Sequence, residues 1–253
     1  MNTIWIFGDS FSWDYNIRLN GNVINFSNDT GWQYIQRYLN GNIFDSWGKI
    51  ISNKLNMNHV NHASYTSGIS IPGLPKGNSN NSAINLINEL SSEFKKGDIV
   101  FFGFTDVCRY DCMVDAETYP ITVSSSAIDY ITTKEKEIIK ETLLNRDKHD
   151  FYKIDELQKL KSIETLSEVI GFDLWYWDWS NTFDPLVVDK KIPNDRWIFF
   201  KAHPNYSNYM SMMCDDYNAG SIDWETNHEI NDGHMGKVGN KIHSEIILSF
   251  LKK

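Results

Sequence analysis

The chain has 253 residues, of which 41% are hydrophobic and 23% charged, so it can bury a sizeable core and is not a disordered sequence. Its 24 basic and 33 acidic side chains give a net charge of -9 with no basic stripe, which argues against a nucleic-acid partner because a phosphate backbone would be repelled. No stretch approaches the roughly 20 apolar residues of a membrane span, so we expect a soluble, globular protein with no membrane partner.

The N-terminal sequence MNTIWIFGDS has neither a basic segment nor a small-residue cleavage site, so the default expectation is a cytoplasmic protein. The three cysteines, Cys108, Cys112 and Cys214, are too few and too irregularly spaced for a disulfide framework or a zinc site of paired cysteines. We therefore expect free thiols, no metal and no cofactor.

The first half of the chain alternates predicted strands and helices. Residues 3–7 form a short β-branched and aromatic run that ends at Gly8, which is typical of a strand buried in a parallel sheet. Residues 13–43, rich in Asn, Gly and aromatic side chains, predict a large loop with room for one helix. Apolar residues at three- and four-residue steps predict a helix over 45–56, and a second strand follows at 59–64.

The second half continues this alternation. A helical apolar stripe covers 83–94, and DIVFFGF at 98–104 is the clearest buried strand of the chain. Further strands are predicted over 172–179 and 196–202, and further helices over 134–145, 153–170 and 236–252.

This order predicts right-handed βαβ units and therefore an α/β fold. The expected architecture is a three-layer α/β/α sandwich around a central five-stranded parallel sheet. We expect one domain over 1–253, with insertions at about 13–43 and 107–171.

Small and polar residues follow three of the predicted strands, and ligands of a parallel sheet bind at the carboxyl ends of its strands. These segments are Gly8-Asp9-Ser10, Ser67-Gly68 and Thr105-Asp106. A fourth polar segment, NDGHMGKVGN at 231–240, precedes the last helix.

Ser10, His234 and Asp232 supply the residue types of a nucleophilic triad. A serine hydroxyl needs a base to take its proton, and an imidazole needs a carboxylate to orient it. In an extended segment Asp232 and His234 point the same way, so the carboxylate can reach the ring. The alternative for this segment alone is that Asp232 caps the last helix and His234 is merely exposed.

Four blocks, in this order, resemble the SGNH hydrolases, the GDSL-like esterase and lipase family: IFGDSFS, NHASYTSG, VFFGFTD and DGHMGKVGNKIHSEI. The resemblance implies a flavodoxin-like SGNH hydrolase fold with Ser10 as nucleophile, exposed by a tight turn at Gly8. It also implies that the backbone N–H groups of Ser10 and Gly68 bind the oxyanion, and it aligns Gly239 with a glycine of the last block.

The sequence departs from the family pattern at three positions. Phe11 stands where leucine is common, and Thr105 replaces the asparagine that donates an amide N–H to the oxyanion. A threonine hydroxyl offers one shorter donor, so the oxyanion hole is either weaker or completed by another group: Asn61, Asn78 or Arg109. Asn231 stands at the position where the family usually has the triad carboxylate, and we assign that carboxylate to Asp232.

The resemblance implies a serine esterase that hydrolyses carboxylic esters through an acyl-enzyme. The partner is then a small-molecule or carbohydrate ester, and the polar, aromatic loop at 13–43 favours an O-acetyl group on carbohydrate. The alternative is a non-catalytic carbohydrate-binding or structural protein on the same scaffold, with a degraded oxyanion hole.

Other patterns receive structural interpretations. GDSFSW lacks the glycines of a dinucleotide-binding turn. His59 and His62 could suggest metal ligands, but a structural role is the prediction. Trp175 and Trp177 are predicted in the core, and Trp179 is left open between the core and sugar stacking.

Overall fold

The structure is a computed structural model, and it describes residues 1–8, 18–19, 22–23, 45–63, 79–105, 110–113, 120–123, 137, 140–142, 145–146, 149–178, 183–187, 189, 195–200 and 237–252. The chain divides into two compact units, Met1–Trp13 with Met57–Ile198 and Asp14–Asn56 with Phe199–Lys253. The first unit contains a parallel sheet, and the second contains a pair of helices.

The described strands are β1 (Thr3–Phe7), β2 (Arg18–Leu19), β3 (Asn22–Val23), β4 (Asn58–Asn61), β5 (Ile99–Phe104), β6 (Tyr110–Met113), β7 (Pro120–Val123) and β8 (Asp173–Asp178). The helices are α1 (Trp47–Leu55), α2 (Asn80–Glu89), α3 (Asp150–Ile170), the short α4 (Asp184–Leu186) and α5 (Lys237–Leu251). A 3₁₀ turn, Ser91–Glu93, follows α2.

The sheet of the first unit has four strands in the order β4-β1-β5-β8, and every neighbouring pair is parallel. Ile4 of β1 lies opposite Ile99 of β5, and Phe7 lies opposite Phe102. The connection from β4 to β5 contains α2, the connection from β5 to β8 contains α3, and these two helices pack against each other. The α/β class and the parallel sheet are therefore as predicted.

The fifth strand predicted over 196–202 is not formed among the described residues. Trp197 makes a single parallel bridge with Tyr176 of β8. In this bridge the Tyr176 N–H donates to the Arg196 carbonyl at 3.0 Å, and the Ile198 N–H donates to the Tyr176 carbonyl at 2.8 Å. The apolar run is explained by burial instead, since a short apolar segment can be core without extended pairing.

Aromatic side chains fill much of the core around β5 and β8. The ring of Phe104 lies 4.6 Å from that of Phe183 and 5.4 Å from that of Trp197. Trp177 is fully buried, as predicted, while Trp175 is half-buried. A Cβ on Gly103 would lie 3.1 Å from the Trp177 indole ring, so glycine at this position lets the ring approach the strand closely.

Antiparallel strand pairs occur within both predicted insertions. β2 pairs with β3 in the 13–43 segment, and β6 pairs with β7 in the 107–171 segment. Neither pair was predicted, because such short strands depend on cross-strand contacts more than on a periodic pattern.

The helices of the first unit begin earlier than their apolar stripes. Ser79 caps α2 by accepting a hydrogen bond from the Ser82 N–H at 3.0 Å, which starts the helix three residues before the predicted 83. α3 likewise begins at Asp150 rather than 153. The first turns of both helices are partly polar, so apolar periodicity does not mark them.

Asp98 joins the amino ends of β1 and β5. Its carboxylate accepts hydrogen bonds from the Thr3 N–H at 2.8 Å, from the Trp5 indole N–H at 2.9 Å and from the Lys95 N–H at 3.0 Å. The residue is only 1% exposed, so these three donors replace the water that burial removes. The side chain therefore ties two central strands together across their amino edge.

The second unit pairs α1 with α5. The N–H of Trp47, the first residue of α1, donates to the Asn240 side-chain oxygen at 2.8 Å. The fully buried His243 meets the Trp47 ring edge-on at 5.2 Å and stacks on Phe200 at 4.5 Å. Burial lowers the pKa of His243, which favours the neutral imidazole.

Within the described part of the chain, the helices are too short or too polar to cross a membrane.

We expect Asp98→Ala to lower the free energy of unfolding by about 3 kcal/mol, because it leaves one buried and two part-buried donors without an acceptor. Urea unfolding measures the change. Asp173→Ala is the matched control, since Asp173 begins the neighbouring strand β8 with an exposed side chain, and it should stay close to the wild type. Equal losses for the two variants would contradict the role assigned to Asp98.

Candidate functional site

The carboxyl edge of the sheet brings together the ends of three strands that precede the predicted polar segments. β1 ends at Phe7 and leads into Gly8, β4 ends at Asn61, and β5 ends at Phe104 and leads into Thr105. Since β1 pairs in parallel with both β4 and β5, these ends share one edge. Several predicted or alternative site residues lie outside the described residues: Ser10, Gly68, Asn78, Arg109, Asp232 and His234.

Gly8 occupies a backbone conformation that other residues rarely adopt. Its φ is 149°, where a Cβ would crowd the backbone. The glycine after β1 is therefore required by the path of the chain as it leaves the strand.

The residues at the end of β4 make structural contacts with the neighbouring backbone and rings. The Asn61 side-chain oxygen accepts from the Ala63 N–H at 2.8 Å, and the His62 N–H continues the sheet by donating to the Ile6 carbonyl at 2.8 Å. The His62 ring stacks on Phe7 at 5.3 Å, and burial lowers its pKa. His62 thus has the structural role predicted for it. The described residues contain no group of three His, Cys, Asp or Glu side chains arranged to hold a metal ion.

Thr105, directly after β5, is held by its backbone. Its N–H donates to the Asn80 side-chain oxygen at 2.8 Å, and its carbonyl accepts from the Asn80 side-chain nitrogen at 3.0 Å. The whole residue is 2% exposed. Its hydroxyl is buried and makes no hydrogen bond within the described part of the chain. The hydroxyl therefore keeps its full capacity to donate, whereas the backbone amide is already engaged.

Asn80 is itself held by a buried ion pair. Its side-chain nitrogen also donates to one carboxylate oxygen of Glu156 on α3 at 2.6 Å, and the other oxygen accepts from the guanidinium of Arg146. Asn80 is 1% exposed and Glu156 is 3% exposed. The guanidinium also lies 5.1 Å from the centre of the Tyr152 ring. We call Asn80, Glu156 and Arg146 together the Asn80 anchor.

The Glu156 carboxyl titrates near neutrality. Burial raises its pKa to about 7, and the Asn80 amide, Arg146 and Lys159 oppose the rise. The group is therefore partly ionised at physiological pH, unlike an exposed glutamate.

The sequence did not reveal Asn80, Glu156 or Arg146 as residues of the site. One signal was present for Glu156: it shares the buried face of α3 with Leu160 and Ile163, four and seven residues further on. A carboxylate on the apolar stripe of a helix indicates a buried partner. Asn80 carried no such signal, because asparagine in the first turn of a helix is ordinary.

No known family profile matches the chain, and no curated protein sequence matches it. Among solved structures, the chain is similar to protein YxiM from Bacillus subtilis, with a TM-score of 0.42 and 14% identity over 99% of this chain and 56% of that chain. It is also similar to a carbohydrate esterase whose active site displays divergent catalytic and non-catalytic binding functions, with a TM-score of 0.37 and 10% identity over 100% of this chain and 68% of that chain. The chain thus spans about half the length of YxiM, 56%.

We expect the wild type to lose unfolding free energy relative to Glu156→Gln as the pH rises from 5 to 8. The raised pKa means that the folded state favours the protonated carboxyl, so this stabilisation is present below the ordinary glutamate pKa and is lost through pH 7. The relative loss should approach about 3 kcal/mol, measured by urea unfolding across the range.

The matched control is Glu164→Gln, because Glu164 lies on the same helix and accepts a hydrogen bond from the Tyr176 hydroxyl at 2.8 Å rather than from Asn80. Its unfolding curve should run parallel to that of the wild type. A Glu156→Gln curve that also ran parallel would contradict the assigned pKa.

Proposed function

We propose that this protein is a serine ester hydrolase. Ser10 attacks the ester carbonyl, His234 takes the serine proton and passes it to the leaving alcohol, and Asp232 orients the imidazole. Water then attacks the acyl carbon while His234 takes a proton from it, and the acyl–Oγ bond breaks as His234 returns the proton to Ser10 and the carboxylic acid leaves. A serine, an imidazole and a carboxylate are sufficient for this chemistry, so the proposal needs no cofactor.

The parallel pairing of β1 with β5 is the observation that carries the proposal. It brings Gly8 of the Gly-Asp-Ser segment and Thr105 of the Gly-Phe-Thr-Asp segment to the same edge of the sheet. These are the segments that the SGNH resemblance assigns to the nucleophile and to one oxyanion donor. The conformation of Gly8, with φ 149°, supports the same assignment.

In this proposal the oxyanion hole consists of the backbone N–H groups of Ser10 and Gly68 and the hydroxyl of Thr105. The hydrogen bonds of Thr105 favour its hydroxyl as the donor, since its backbone N–H already donates to Asn80.

The proposed substrate is a carboxylic ester, with an O-acetyl group on carbohydrate as the favoured class. The segment at 13–43 carries the aromatic and amide side chains that suit a sugar ring. If the activity test fails, the result would favour the alternative, a non-catalytic carbohydrate-binding protein.

We expect the wild type to hydrolyse p-nitrophenyl acetate and Ser10→Ala to lose activity on the order of a thousandfold or more. Ser162→Ala is the matched control, because Ser162 is an exposed serine on α3 whose hydroxyl donates to its own helix, and it should keep wild-type activity. A fluorophosphonate should label the peptide that contains Ser10. Equal rates for wild type and Ser10→Ala, or no hydrolysis by either, would overturn the esterase proposal.

We expect Thr105→Asn to raise kcat by about tenfold, because an amide N–H reaches further than a hydroxyl and oxyanion donors are worth a hundredfold or more elsewhere. Thr105→Val is the control, since it keeps the shape and the backbone bonds to Asn80 but removes the hydroxyl. It should lower kcat. Steady-state kinetics with p-nitrophenyl acetate measure both, and a fall in kcat for Thr105→Asn would count against a weakened oxyanion hole.

A further inference from the structure

The backbone of Thr105 lies where the sheet no longer supplies partners. β5 pairs with β1 as far as Phe102 and with β8 as far as Phe104. One residue further on, the Asn80 side chain takes the place of a neighbouring strand, bonding both the N–H and the carbonyl of Thr105. An amide is the side chain suited to this, because it carries a donor and an acceptor side by side.

The Asn80 anchor has a large desolvation cost for a group of side chains that positions one residue, Thr105. It buries an amide, a carboxylate and most of a guanidinium, drawn from α2, α3 and the segment before α3. Replacing a buried ion pair by apolar side chains is often neutral or stabilising, so the pair is weak evidence for a purely stabilising role. All three side chains contribute to holding the Thr105 backbone in one fixed geometry.

We infer that Asn80, held by Glu156 and Arg146, is a positioning residue that fixes Thr105 so that its hydroxyl points at the developing oxyanion. This inference rests on the proposed esterase function. Asn80 touches no reacting atom in it; the residue acts through the backbone of Thr105. Its loss would therefore reduce kcat more than substrate binding.

The charges around Glu156 make the anchor sensitive to pH. Arg146 faces the carboxylate from the preceding segment, and Lys159 and Asp155 act on it from α3 itself. On α2, the neutral amide of Asn80 faces the carboxylate. With a pKa of about 7, Glu156 is ionised above neutrality, and burial of this charge lowers the free energy of unfolding. The charged carboxylate nevertheless makes stronger individual bonds to Arg146 and to the Asn80 amide, which orient that amide, whereas protonation weakens these bonds.

The experiment compares wild type, Glu156→Gln, Asn80→Ala and the matched control Glu164→Gln in the 253-residue chain. The first measurement is kcat and KM for p-nitrophenyl acetate from pH 5.5 to 8.5. At pH 8.5 we expect Glu156→Gln to lower kcat by about tenfold with KM within about twofold, because the ion pair is lost. At pH 5.5 the wild-type carboxyl is neutral like the amide, so the ratio of the two kcat values should approach one. This ratio cancels the titration of the catalytic base, which both proteins share.

The second measurement is hydrogen exchange of the Thr105 amide by NMR at pH 8, which does not depend on activity. We expect Asn80→Ala to speed this exchange by about tenfold, because it removes the acceptor of the Thr105 N–H, and Glu164→Gln to leave it unchanged. If Glu156→Gln fails to fold, Arg146→Gln tests the same ion pair from its other side, with the same expected loss of kcat.

The two proposals fail in different ways. Hydrolysis that does not depend on Ser10 would overturn the esterase proposal, and the exchange rates would still decide whether the anchor holds Thr105. Hydrolysis that depends on Ser10, with Glu156→Gln equal to Glu164→Gln in kcat at every pH, would overturn the positioning role alone. Unchanged exchange at Thr105 in Asn80→Ala would overturn the anchor itself.

Discussion

The parallel pairing of β1 with β5 is the constraint on which the rest of the first unit depends. With Ile4 opposite Ile99 and Phe7 opposite Phe102, the two strands run side by side and end at the same edge. All four β1 residues from Ile4 to Phe7 are buried, so a shift of one residue would reverse which face each of them packs against. The pairing therefore determines both the core and the position of the candidate site.

Two buried side chains complete β5 beyond its hydrogen-bond ladder. Asp98 accepts three N–H donors at the amino end, and Asn80 bonds both backbone groups of Thr105 at the carboxyl end. Both solve the same problem, because a buried backbone group without a partner is costly. They differ in what supports them: Asp98 is bonded within two adjacent segments, whereas Asn80 depends on an ion pair that titrates near neutrality. The hydrogen bonding at the carboxyl end of β5 therefore changes with pH near neutrality.

Elements with a strong local pattern were predicted well. β1, β5 and β8 are apolar runs bounded by Gly, Asp or turn residues, and they lie within one residue of their predicted bounds. α5 likewise follows its apolar stripe. The failures share a different cause: the run at 196–202 is buried but makes only one bridge, and β6 and β7 exist because they pair with each other. Strand pairing is decided by the partner, which a local pattern does not contain.

For the candidate site, the sequence by itself determined the chemical types and their order along the chain: Gly-Asp-Ser after the first strand, Gly-Phe-Thr-Asp after β5, and an aspartate and a histidine before the last helix. Those motifs are local, so reading them needs no folded chain. Tertiary structure alone decided that Thr105 is held by Asn80, which precedes it by 25 residues, and that Asn80 is held by Glu156, which follows Asn80 by 76 residues. The physical reason is that burial removes water from these groups, and only the packing of α2 and α3 determines which side chains replace it.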